Sequence, residues 1–99
     1  MTAYIIFIRE TPIHAPAEMQ AYQQAPRAKL GAIEPLAVYG ALTPLEGESP
    51  DGVVILKFPT VDDAKAWYYS PEYQAAALHR RNAAAYRAVI VEGFEPPRP

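Results

Sequence analysis

The chain has 99 residues, of which 51% are hydrophobic and 20% charged, with a formal net charge of −2. That length suits one domain with an adequate core, and that apolar content excludes a disordered chain. The basic residues are scattered, which excludes a nucleic-acid footprint, and the absence of cysteine removes thiol catalysis, disulfides and thiolate metal sites.

Residues 3–9, AYIIFIR, are dense in β-branched and aromatic side chains and predict a first strand, with Arg9 emerging at its end. Both faces are apolar until Arg9, and the run is far too short to span a membrane. The N-terminus lacks the basic region and cleavage site of a secretory signal, so a cytoplasmic protein is expected. After a turn holding Pro12 and His14, Pro16 opens a helix with Met19, Tyr22, Pro26 and Leu30 on one side. Pro26 lacks an N–H and crowds the carbonyl four residues back, so the helix should kink or break near Ala25, and Gly31 is a natural stop.

Residues 36–45, LAVYGALTPL, predict a second strand, 46–52 a polar turn, and 52–58, GVVILKF, a third strand apolar on both faces. Thr60 is placed to cap a helix, answered by Asp63, with Val61, Ala64, Trp67 and Tyr68 at core-facing spacing. Ser70-Pro71 then reads as the cap and first residue of another helix, in which Tyr73, Ala77 and Arg80 share a face. Residues 86–93, YRAVIVEG, predict the fourth strand. Residues 1–95 are expected to form one domain, and 96–99 a proline-rich tail.

The order is β-α-β-β-α-β, an α+β, ferredoxin-like arrangement with a four-stranded antiparallel sheet and helices on one face. Helices on one face leave the other uncovered, yet strands one and three are apolar on both sides. The simplest cover is the same face of a second copy, so a homodimer is expected.

The segments AYIIFIRE, LAVYGALTPLEG, AKAWYYSPEYQAAALHRR and YRAVIVEGFE together resemble the DUF1330 family. The most specific piece is W-Y-x-S-P-x-Y-x(6)-R, carried by Trp67, Tyr68, Ser70, Pro71, Tyr73 and Arg80. The resemblance implies a dimeric α/β barrel with a pocket between helices and sheet in each protomer. Related YCII-like proteins are described with a His–Asp pair. Here His79 stands in the last helix, with no aspartate in the strand or turn facing it.

The candidate ligand-binding residues are Arg9, Tyr39, Tyr68, Ser70, Tyr73 and Arg80. Arg80 fills the arginine position of the family, and a guanidinium suits a carboxylate; it is expected to point into a wet pocket, away from the core. Ser70 serves equally as a helix cap, and the tyrosines equally as packing with wet hydroxyls. Two distant histidines without cysteine give no structural zinc site, and no glycine-rich loop cradles a nucleotide, so no metal and no cofactor are expected. The expected function is binding of a small carboxylated or aromatic metabolite, with any conversion independent of metal or nucleotide. The alternative is a ligand-binding or accessory module of the same fold without turnover.

Overall fold

The computed structural model describes residues 1–26 and 33–95. β1 (Ala3–Arg9), α1 (Pro16–Gln24), β2 (Glu34–Val38), β3 (Gly52–Phe58), α2 (Val61–Tyr68), α3 (Pro71–Ala83) and β4 (Tyr86–Glu92) follow in chain order. The four strands form one antiparallel sheet in the order β2-β3-β1-β4. The centre goes to β1 and β3, whose β-branched and aromatic runs tolerate burial on both faces.

Register defines the two faces, since cross-strand partners share a side. Ala3, Ile5 and Phe7 pair with Phe58, Leu56 and Val54 on β3, and with Glu92, Ile90 and Ala88 on β4. This is the helix-covered face: Ile5, Phe7, Phe58, Ala64, Trp67, Tyr73 and Ala77 form its buried core. On the other face Tyr4, Ile6 and Ile8 stand opposite Lys57, Ile55 and Val53, and opposite Val91, Val89 and Arg87. No element of the described chain covers that face, and Val89 and Val91 are 53% and 44% exposed.

Local chemistry sets the helix boundaries. Thr60 Oγ1 accepts the Asp63 N–H at 3.0 Å, and Ser70 Oγ accepts the Tyr73 N–H at 3.2 Å while donating to the Trp67 carbonyl at 2.8 Å. α1 starts at a proline and breaks after Gln24, where Ala25 turns to extended backbone ahead of Pro26. Leu30 and Gly31, expected to continue and stop that helix, lie outside the described residues, as does the tail 96–99.

The second strand differs from the sequence expectation. It runs Glu34–Val38, not 36–45. Tyr39 has φ +52°, a left-handed conformation in which a strand cannot continue. At the other end β2 is an edge strand, so Pro35 is tolerated within it, and the pairing with β3 is irregular between Pro35 and Ala37. From residue 39 to 51 the chain runs without helix or strand and leaves Leu45 90% exposed. Among the described residues no helix is long and apolar enough to cross a membrane.

Candidate functional site

A cavity of about 320 Å³ opens between α1 and the helix-covered face of the sheet. α1 supplies Met19, Tyr22 and Gln23, the sheet supplies Phe7, Val54 and Leu56, and Trp67 and Arg80 close the inner end. The volume is at the small end for ligand pockets, enough for a single-ring molecule. The wall is largely apolar, so its few polar groups decide what it can hold.

Arg80 is the first of these. The roughly two turns of helix between Tyr73 and Arg80 place both side chains on the buried face of α3, and Arg80 is only 3% exposed. Its Nε donates to Tyr73 Oη at 3.3 Å, and its guanidinium carbon lies 5.1 Å over the Phe7 ring and 4.9 Å over the Tyr86 ring. The expectation of a side chain in a wet pocket is corrected: Arg80 is packed into the aromatic core and reaches the cavity from inside. None of the ion pairs among the described residues involves Arg80. The residues outside the description contain no Asp or Glu either.

Tyr73 stands behind the wall, fully buried, its ring 4.1 Å from Trp67 between centroids and its hydroxyl 3.1 Å from that of Tyr22. Burial pushes its phenol well above the ordinary tyrosine range, and the Tyr22 hydroxyl adds to this against the opposing pull of Arg80. Tyr39 is at the mouth. Its hydroxyl lies 2.7 Å from that of Tyr86, and burial followed by this hydrogen bond raises its pKa also. Arg9 is behind the Tyr39 ring, its guanidinium carbon 5.0 Å from the centroid, donating through Nη2 to the Asp51 carbonyl at 3.0 Å.

The sequence candidates therefore divide. Tyr39 and Arg80 line the cavity, with Tyr73 and Arg9 one layer behind them. Ser70 is engaged at both its donor and its acceptor as the α3 cap, and Tyr68 lines a separate shallow concavity with Ile5, Tyr69 and Ile90. Sequence reasoning missed Tyr22 and Tyr86. Tyr86 had a readable signal, because it alternates with Ala88 and Ile90 onto one face of β4.

His14 is exposed in the loop after β1. His79 pairs with Glu18 of α1, Nδ1 to Oε2 at 2.6 Å. The partner absent from the facing strand and turn thus comes from the first helix, as a glutamate. Among the described residues no three His, Asp or Glu side chains gather where a metal ion could be held.

Comparison with known families matches residues 2–94 to DUF1330, a domain of unknown function. The chain belongs to the DUF1330 family. The Trp67–Arg80 segment that carried the resemblance is thus also the α2–α3 wall of the cavity. No relative is found among curated proteins. Among solved structures, this DUF1330 chain is similar to the methylated RPA0582 protein of Rhodopseudomonas palustris (19% identity, 98% of this chain and 84% of that one, TM-score 0.70). It is also similar to a dimeric protein of unknown function and ferredoxin-like fold from Bacteroides fragilis (20% identity, 93% and 96%, TM-score 0.58). A third is an ethyl tert-butyl ether d (EthD) family protein from Bacillus halodurans (12% identity, 95% and 100%, TM-score 0.59). At these identities the likeness is one of fold.

Proposed function

We propose that this DUF1330 protein binds a small acid with an apolar or aromatic body in the cavity beneath α1, the carboxylate held by Arg80. One observation carries the reading: a guanidinium 3% exposed, at a cavity wall, with no carboxylate partner among the described residues. A buried charge without a counter-ion is costly, and a bound carboxylate removes that cost while matching the planar fork. The apolar remainder of the wall suits a ring or short aliphatic body.

The described residues lining the cavity include no carboxylate and no imidazole, and the Tyr39 and Tyr73 phenols are held in their neutral forms. These groups hold and orient an acid; they supply no general base. Binding without turnover is therefore the form of the proposal, in a cytoplasmic setting.

The second copy belongs to the same proposal. Ile6, Ile8, Val53, Ile55, Val89 and Val91 form an apolar face that no helix or strand of the described residues covers, and the Bacteroides fragilis relative of like fold is described as dimeric. Light scattering at micromolar concentration should report twice the chain mass; a stable native monomer would overturn that part.

Calorimetric titration with benzoate tests the site. Wild type should bind, and Arg80→Gln should bind ten- to a hundredfold more weakly, the loss of about 1.5–3 kcal/mol expected for one charged hydrogen bond. Equal affinity in the two proteins would remove Arg80 from the site.

A further inference from the structure

Tyr39 is held in an unusual way for a residue at a cavity mouth. It is the described non-glycine residue with positive φ, at +52°, and strained backbone of this kind is retained where the surroundings enforce it, often at ligand sites. Three groups enforce it. The Tyr86 hydroxyl fixes its far end at 2.7 Å, and the Arg9 guanidinium covers its ring at 5.0 Å. Gly52 leaves its near side open, because a Cβ there would stand 2.6 Å from Tyr39 Cδ1.

The two hydroxyls together hold two donor hydrogens and four lone pairs. Their mutual bond uses one of each, and no other hydrogen bond to either hydroxyl is made by the described residues. One O–H and three lone pairs thus stay free on the pair, and the Tyr39 ring lines the same cavity as Arg80. Tyr86 lies in direct stacking contact with Arg80, so the phenol pair and the guanidinium are two ends of one polar rail along an otherwise apolar wall. The phenol of Tyr39 stays protonated at neutral pH, so the pair adds no negative charge to repel an acid.

We infer that the Tyr39–Tyr86 phenol pair is a second polar anchor, so that the acid held by Arg80 is a hydroxy- or oxo-acid whose neutral oxygen meets this pair. The inference rests on the reading of the cavity as a carboxylate site. It makes Tyr39 a specificity-determining residue: Arg80 selects acids as a class, and the phenol pair selects among them.

The test compares benzoate with the three monohydroxybenzoates by calorimetric titration. At least one isomer should bind wild type about tenfold more tightly than benzoate, the gain expected of one good hydrogen bond. That ratio should collapse towards one in Tyr39→Phe and in Tyr86→Phe, each of which removes one half of the pair. Gly52→Ala, which displaces the Tyr39 ring yet keeps its hydroxyl, should collapse it as well. Thermal melts identify any variant that is not folded, and the remaining two then decide. Equal binding of benzoate and all three isomers by wild type, or a ratio that survives the loss of either hydroxyl, overturns the anchor alone. Failure of benzoate itself to bind wild type overturns the carboxylate site and the anchor with it.

Discussion

Glu18 and His79 meet between α1 and α3, carboxylate oxygen to imidazole Nδ1 at 2.6 Å. The contact ties the helix that roofs the cavity to the helix that carries Arg80. Both side chains are substantially exposed, at 37% and 44%, so water competes for each. Glu18→Gln should therefore lower stability by no more than about 1 kcal/mol, read from the urea midpoint. A loss of several kcal/mol would mean that α1 depends on this pair rather than on Met19 and Tyr22.

Ser70→Ala should cost more. The hydroxyl is buried and works twice, accepting from the Tyr73 N–H and donating to the Trp67 carbonyl. Removing it uncaps α3 by taking away the acceptor of the Tyr73 N–H, while the Trp67 carbonyl keeps the Ser70 N–H at 3.3 Å, for an expected loss of about 1–2 kcal/mol in denaturant unfolding. Benzoate affinity of the folded variant should stay within about twofold, since Ser70 does not line the cavity.

Arg80→Met separates binding from folding in the opposite direction. The substitution forfeits contacts with the Phe7 and Tyr86 rings, about 0.5–2 kcal/mol, but removes a buried charge whose desolvation costs several kcal/mol. The unliganded variant should gain about 1 kcal/mol or more in stability and lose benzoate binding. A variant less stable than wild type would show that the stacking outweighs the desolvation.

Tyr73 gives a pH signature. Its folded pKa lies above its unfolded value of about 10, so above that pH the unfolded chain releases a proton that the folded chain keeps. Its contribution to stability is complete below about pH 10 and is lost as pH rises towards the folded pKa. Unfolding free energy measured from about pH 8 to 11 should fall, and fall less steeply in Tyr73→Phe. Equal slopes would place the alkaline loss elsewhere.

The strands β1, β3 and β4 were legible because side chains suited to burial on two faces announce themselves by type and run length. Both helix caps were legible for a similar reason: a hydroxyl three residues ahead of its N–H is a local pattern. β2 was not. LAVYGALTPL has the composition of a strand, but composition carries no sign of φ, and the left-handed turn at Tyr39 depends on Arg9, Gly52 and Tyr86, which are distant in sequence. The same limit hid the Glu18 partner of His79 and the burial of Arg80. The face shared by Tyr73, Ala77 and Arg80 could be read from spacing; that the guanidinium would lie over the Phe7 and Tyr86 rings required the sheet order.

The irregular stretch between β2 and β3 offers a practical handle. Leu45 projects from it with 90% of its surface free, and the chain contains no cysteine. Leu45→Cys would therefore put one uniquely addressable thiol on each chain, outside the residues that line the cavity and the two helix caps. A spin label attached there gives one inter-label distance in a symmetric pair and none in isolated chains. It would thereby yield the geometry of association as well as its existence.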